Sequence, residues 1–524
     1  MLVLADKKAL ILKVRNPAQI QAVIPTAKPL KVPAGEFLAV PHRLDEVRVL
    51  RNLGILAPPP IRHYYEWSGQ YTPFLAQRAT AEFLTLNPRA FVLSDLGTGK
   101  SMAALWAYDY LRSIGMAHSL LVISPLSTLE RTWADEVFMH FPHLSYSVLY
   151  GSRAKRLKLL ERPADVYIVN HDGAQIIAPA LATRQDVDVV LIDEIAQVAR
   201  NAQTARWKVL NTIVNRQIEG RRRAWGLTGT PTPTAPTDAW AQCRLLVPHQ
   251  VPQYANRFRD QVMRQINQFL WLPRENAMEI VREVMQPSIR FRRDECVDLP
   301  PCMHETRDVP LTAEQTAAYK EMMNTLRTQA ANGEILAVNE AIKTSKLIQI
   351  VCGVAYDRGG NECTIGAQHR IQAVVDIVQE AAAKVIVFVP FVSSTGYVSE
   401  ALQAQGITTA VVHGGVSKHD RDDIFGRFQA DPELRVLVAQ PAAMSHGLTL
   451  TAANTIVWYA PITQPEVHTQ AEGRITRPGQ KNAQFIIRLA ATALERRMYD
   501  RLSKKQSLQG ILLDEIEEGR EAYV

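Results

Sequence analysis

The stretch FVLSDLGTGKSMAAL at 91–105 sets Gly97, Thr98, Gly99, Lys100 and Ser101 between a short apolar run and a helical pattern, MAALWAYDYLRS at 102–113. A strand, a glycine-rich loop and a helix in that order can hold phosphates. Glycines let backbone N–H groups turn inward, and the helix start adds the positive end of its dipole. Lys100 suits the β- and γ-phosphates of a nucleotide, and Ser101 suits a Mg²⁺ ion. One position departs from the usual GxxxxGK[ST] spacing: Ser94 stands where the first glycine is expected. A second pair, Asp193 and Glu194, closes the apolar run VVLI at 189–192. Two adjacent carboxylates leaving a buried strand are costly unless they have a task. Asp193 would hold Mg²⁺ through water, and Glu194 would orient the attacking water or take its proton. The plain alternatives are a glycine-rich turn with a surface lysine, and a carboxylate pair capping a helix.

The elements that must position these residues alternate in type. Apolar, β-branched runs at 91–93, 120–124, 166–170, 189–194 and 224–230 are separated by helical patterns, which predicts a parallel sheet covered on both faces. Functional residues in such sheets gather at the carboxyl ends of the strands. From 246 to 350 the pattern is mostly helical, and strand–helix alternation returns with runs beginning at 384, 408, 435, 455 and 484. The break APPP at 57–60 sets off an N-terminal module. The predicted organisation is α/β: an accessory domain over 1–62, a nucleotide-binding lobe over 63–245, a helical linker over 246–350 and a second lobe over 351–524.

The chain of 524 residues has a net charge of +7, and the excess is uneven. Residues 1–60 carry nine Lys or Arg against four acids, so a polyanion such as nucleic acid is a candidate partner for this module. A solvated basic face is the equal alternative. Five scattered cysteines argue against a disulfide framework. Cys296, Cys302 and His304 lie close in sequence, but without a CxxC pair they read as ordinary residues rather than a zinc site. Apolar runs are strand-length and the start lacks a cleavage signature, so a cytoplasmic location is expected, with no membrane partner.

Taken in order, the motifs resemble those of superfamily-two helicases, and in particular the Swi/Snf-type helicase-like ATPases, including the compact forms of bacteria and phages. PFLAQ at 73–77 is similar to the adenine-reading segment, with Gln77 in the glutamine position. GTGKS at 97–101 stands at motif I, ISPLSTL at 123–129 followed by Trp133 resembles a PLSVLxxW stretch, and DEIA at 193–196 stands at motif II. LTGTP at 227–231 is similar to motif III. Arg292 and Arg293, with LPP at 299–301, resemble the link between lobes. In the second half KVIVFVPF at 384–391, VHGG at 412–415 with Arg421 and Phe428, SHGLTL at 445–450, and QAEGRITRPGQ at 470–480 resemble motifs IV to VI. Ala196 replaces the histidine of a DEAH-type box, with Gln197 beside it as a substitute, and AMSH at 443–446 replaces a run of small residues.

The resemblance implies two RecA-like lobes in tandem, ATP and Mg²⁺ as cofactors, and DNA as partner, whether duplex, forked or branched. It implies ATP in a cleft between the lobes. Gln77, Gly97, Thr98, Gly99, Lys100, Ser101 and Gln470 would bind the nucleotide, Ser101 and Asp193 the metal. Lys100, Asp193, Glu194, Arg474 and Arg477 would be catalytic, with the two arginines reaching the γ-phosphate from one helical face. Ser124, His171 and Thr449 are candidate phosphate contacts on the DNA. No obligatory protein partner is inferred. A translocase or remodeller is the favoured expectation. A strand-separating helicase and a nucleotide-gated scaffold without turnover are the alternatives, and RNA fits motifs III and VI less well.

Overall fold

The computed structural model describes residues 1–502, apart from 34, 216–221, 267–270, 297–299, 332–336, 357–361, 445–449 and 477–479. Its described residues form two compact units, one ending at Cys296 and the other beginning at Pro300.

The first unit opens with a four-stranded antiparallel sheet, β1 (Leu2–Leu4), β2 (Ala9–Leu12), β3 (Lys28–Val32) and β4 (Gly35–Pro41), in the order β1-β2-β4-β3. Alternation sends Leu10, Leu12, Leu38 and Val40 inward. The helix Leu44–Asn52 covers them with Leu44, Val47 and Leu50, spaced at helical period. This module shares one apolar core with the larger sheet that follows. Arg48 donates through Nε to Leu86 O (2.7 Å) and through Nη2 to Thr85 O (3.0 Å), using carbonyls that the helix Leu75–Leu86 leaves open at its end. Arg62 grips the buried Glu82 carboxylate with two hydrogen bonds of 2.8 and 2.6 Å. The basic module is thus built into the first unit.

The larger sheet contains β5 (Arg89–Val92), β6 (Ser119–Ser124), β7 (Tyr146–Val148), β8 (Val166–Asn170), β9 (Val187–Asp193) and β10 (Arg223–Leu227). A hairpin, β11 (Met263–Gln265) with β12 (Trp271–Pro273), precedes the edge strand β13 (Ser288–Ile289). The order is β13-β5-β10-β9-β6-β8-β7, all parallel. Every residue of β6, β8 and β10 is buried, as the unbroken apolar runs require when both faces are covered. Val92, Leu120, Val122 and Leu191 pack on one face; Phe91, Leu121, Ile123 and Ile192 pack on the other.

The second unit has β14 (Cys302–Asp308), a small hairpin of β15 (Val354–Tyr356) and β16 (Glu362–Thr364), then β17 (Lys384–Phe388), β18 (Thr409–Val412), β19 (Val436–Ala439), β20 (Ala453–Trp458) and β21 (Gln484–Ala490). The main sheet runs β14-β21-β20-β17-β19-β18 and is also parallel. Residues 246–350, expected to be a helical linker, therefore carry a strand of each sheet as well as helices. β13 has two residues and β14 is polar and mostly exposed, so neither left an apolar period in the sequence.

Inside the second unit the helix Gln368–Glu380 is tied to the chain after β21 by a buried ion pair. Arg370 Nη2 donates to Glu495 Oε1 (2.9 Å), and Glu495 Oε2 accepts from the amides of Ala491 (2.8 Å) and Thr492 (3.0 Å). Burial disfavours the guanidinium charge, but Glu495 outweighs it and holds Arg370 above the ordinary arginine value. Glu495→Ala should leave that cation unpaired in the core and destabilise the second unit by about 3–5 kcal/mol. Urea unfolding of the full chain, followed by its separate transitions, measures this. Pairing Arg370→Met with Glu495→Leu should recover most of the loss.

Candidate nucleotide site

The phosphate-loop residues sit past the carboxyl end of β5. Gly97 (φ 85°) and Gly99 (φ 75°) take left-handed backbone that a side chain would resist. A Cβ on Gly99 would lie 2.0 Å from Gln77 Nε2, so the loop packs against the end of the Gln77 side chain, which would have to swing aside for any other residue. Gln77 is buried, and its Oε1 accepts from Phe74 N–H (2.9 Å). The helix Lys100–Ser113 starts directly after Gly99. Lys100 Nζ turns back into the loop and donates to Ser94 O (2.7 Å) and Asp95 O (2.9 Å); Thr98 Oγ1 donates to Asp95 O (2.8 Å).

Register brings the other motifs to the same edge. Leu227 of β10 stands beside both Val92 of β5 and Asp193 of β9. Gly229 then passes so near the loop that a Cβ there would be 3.5 Å from Ser94 O. Asp193 Oδ2 accepts from the indole N–H of the fully buried Trp133 (3.1 Å), and Asp193 Oδ1 accepts from Glu194 N–H (3.1 Å). Burial raises the pKa of Asp193; the Trp133 hydrogen bond, the nearby Lys100 cation and the Glu194 amide oppose that rise. Glu194 has left-handed backbone (φ 50°, ψ 48°) just before the short helix Ile195–Val198. A non-glycine residue held there stores strain, a common mark of working sites.

These residues fit a nucleotide with its metal. The cradle closes on glycines, Lys100 lies within electrostatic reach of Asp193, and Ser101 with Asp193 offers oxygen donors of the kind Mg²⁺ takes alongside phosphates and water. No group of three or more His, Cys, Asp or Glu placed to hold a metal ion occurs among the described residues. Cys302 Sγ and His304 Nε2 lie 3.8 Å apart on β14.

Ser94 accounts for its own departure from the glycine pattern. Its buried hydroxyl accepts from Phe291 N–H (3.0 Å). Asp95 adds to this strap: its N–H donates to Phe291 O (3.1 Å), and its Oδ2 accepts from Arg293 N–H (3.2 Å). The loop is thereby stitched to the chain leaving β13, a link between residues almost 200 positions apart that no local spacing signals.

Several expectations need correction. Ser124 is fully buried at the end of β6, so its hydroxyl cannot meet DNA; Leu126 and Ser127 are the exposed residues of that turn. His171 is half-exposed, and its Nε2 also lies 3.1 Å from Asp193 O, so the residue touches the motif II backbone as well. Arg474 does not lie on a helical face. The helix Pro465–Glu472 ends at Gly473, and buried Arg474 follows in a turn where its carbonyl accepts from Leu450 N–H (3.0 Å). Gln470 lies inside that helix, whereas Arg477 and Thr449 lie outside the described residues. Trp133 was legible as a motif residue, but its task was not. A buried indole must place its N–H, and here the acceptor is the motif II carboxylate.

Two parallel α/β lobes, the first with a glycine-rich loop before a helix and paired carboxylates at the end of a nearby strand, give the architecture of a helicase-like protein. A family model described as "SNF2-related domain" matches residues 81–353, more than half of the chain, and one described as "Helicase conserved C-terminal domain" matches 369–479. The chain belongs to the SNF2-related family of helicase-like ATPases.

Protein p41 of Acyrthosiphon pisum secondary endosymbiont phage 1 is 23% identical over 481 residues, covering 85% of this chain and 98% of that protein. The human DNA annealing helicase and endonuclease ZRANB3 is 24% identical over 455 residues, covering 82% of this chain but 39% of its own length. The chain therefore spans well under half of this longer relative. A solved structure described as the Sulfolobus solfataricus SWI2/SNF2 ATPase core in complex with dsDNA is 21% identical with a TM-score of 0.42, covering 89% of this chain and 97% of that one. No helix among the described residues is long and apolar enough to cross a membrane.

Proposed function

We propose that this chain hydrolyses ATP in response to DNA and uses the cycle to move along, or remodel, duplex or branched DNA. The observation that carries the reading is the meeting of Lys100, Asp193 and Glu194 at the carboxyl ends of neighbouring strands, beside a loop whose Gly97 and Gly99 take left-handed backbone. Lys100 and the loop amides would hold the phosphates, Ser101 and Asp193 the Mg²⁺, and Gln77 the base. When bound, Mg²⁺ neutralises phosphate charge. Glu194 would position the attacking water and accept its proton. Arg474 and Arg477 are assigned to the γ-phosphate by sequence pattern alone. The relative named for annealing DNA and the family's helicase half support DNA as partner.

The test is the steady-state ATPase rate without nucleic acid and with single-stranded, linear duplex, forked and four-way DNA. Stimulation by duplex or branched DNA is expected; equal rates throughout would refute the reading. Triplex disruption without strand displacement would identify a translocase, and displacement a strand-separating helicase.

The N-terminal module is assigned to substrate choice. Of its nine basic residues, Arg48 and Arg51 donate to backbone carbonyls, while Lys7, Lys8, Lys13, Arg15, Lys28, Lys31 and Arg43 are exposed. Because the module shares a core with the first lobe, deletion would confound folding with binding, so charge substitution is the cleaner probe. Replacing Lys7, Lys8, Lys13 and Arg15 by glutamine should lower affinity for forked DNA more than for linear duplex. Fluorescence anisotropy gives the ratio, and an unchanged ratio would remove the assignment.

A further inference from the structure

Residues 254–274 carry four arginines, Arg257, Arg259, Arg264 and Arg274, against one acid, Asp260. None of them belongs to a motif named above. They surround the hairpin β11–β12 and the helix before it, Ala255–Val262. The mount is firm: Phe258, Val262 and Met263 are buried in the first unit's core with Ala277, Val281 and Met285. The outer face differs. Arg257, Arg259, Arg264 and Arg274 are all exposed, as is Tyr254. The Arg259 guanidinium lies 4.2 Å from the centroid of Trp271, and Arg257 lies 5.9 Å from that of Tyr254.

Arg274 Nε donates to Asp260 O (3.0 Å) and Met263 O (3.1 Å), which fixes the base of the hairpin. Among the described residues neither Arg257 nor Arg264 has a carboxylate partner. The one acid, Asp260, is 3.7 Å from Arg259 Nε in an exposed pair of little weight.

The helix Ala277–Val284 joins the hairpin to β13, the strand beside β5 in the first unit's larger sheet.

We infer that this hairpin and the helix before it form a further phosphate-gripping surface for DNA, outside the family motifs. Uncompensated arginines partly ordered over aromatic rings, on a rigid mount, match a line of phosphates better than a neutral surface. Such a grip raises affinity and salt dependence without reading sequence. The inference rests on DNA being the partner.

The test uses the full chain and a linear duplex of mixed sequence, with affinity measured across a salt series. Replacing Arg257, Arg259 and Arg264 together by glutamine should weaken binding and flatten the slope of log affinity against log salt by roughly 3, one for each phosphate no longer neutralised. Lysine at the same three positions keeps the charge and should restore the slope. A glutamine variant with the wild-type slope, or a lysine variant as flat as the glutamine one, overturns the assignment; the first result would leave an acidic protein segment as the alternative partner. If the wild-type chain itself binds no DNA, the functional reading fails. If it binds and the glutamine variant matches it, only the hairpin assignment fails.

Discussion

Alanine at position 100 is expected to lower DNA-stimulated ATP turnover by on the order of 10²–10³-fold, the usual cost of removing one preorganised charge aimed at a reacting group. Lys100 now donates to Ser94 O and Asp95 O, so its half-buried ammonium is already directed into the loop. Phosphate oxygens would draw it from neutral carbonyl oxygens to charged ones, and that exchange favours nucleotide. Without the lysine, Asp193 also loses a cation that opposes the upward effect of burial on its pKa. Its carboxyl should then sit higher still and hold a metal less readily near neutral pH. Nucleotide affinity should therefore fall together with turnover. A fluorescent ATP analogue and a coupled ATPase assay measure the two, and an alanine variant within threefold of wild type in both would remove Lys100 from the site.

Glutamine at 194 is expected to separate binding from chemistry. The amide keeps the size of the side chain, and nothing about it forces the left-handed backbone (φ 50°) to change. It cannot take a proton from water. ATP should still bind, turnover should fall by on the order of 10²–10⁴-fold, and complexes formed with ATP and DNA should become long-lived. Single-turnover hydrolysis beside analogue binding decides it; near-normal hydrolysis in Glu194→Gln would mean that another group handles the water. Glycine at 194 adds a control, because it removes the carboxyl and the strain together. It should be as inactive as the glutamine variant and no less stable, since the left-handed conformation costs a non-glycine residue about 1–3 kcal/mol.

The site was legible to different depths. GTGKS at 97–101 and the carboxylates at 193–194 could be read because their chemistry is local. A loop between strand and helix needs those residue types at those offsets, wherever the rest of the chain goes. Ser94 reads as a defect locally, yet it is a hydrogen-bond acceptor for Phe291. Ser124 looks like a polar loop residue, but β6 ends later than its apolar run and buries it. The helix expected to carry Arg474 stops at Gly473, whose amide closes the last turn onto Thr469 O.

The same division holds for the scaffold. The apolar strands of both sheets were visible because burial on two faces writes itself as continuous Val, Ile and Leu. The edge strand β14 was not: CMHETRD has no apolar period, and its seven residues become a strand by pairing in register with β21. Arg370 and Glu495 are ordinary charges until the fold brings them together in a core.

By itself the sequence determined the two-lobed α/β class, the glycine-rich loop between strand and helix, the paired carboxylates ending a buried strand and the uneven charge, since each depends on residues within a turn or a strand of one another. Only the tertiary structure decided that the basic module is part of the first unit, that Trp133 and His171 serve Asp193, and that Ser94 and Asp95 fasten the loop to the chain after β13. Those are pairings between distant segments, and their energies depend on burial and direction, which a linear order of residues does not carry.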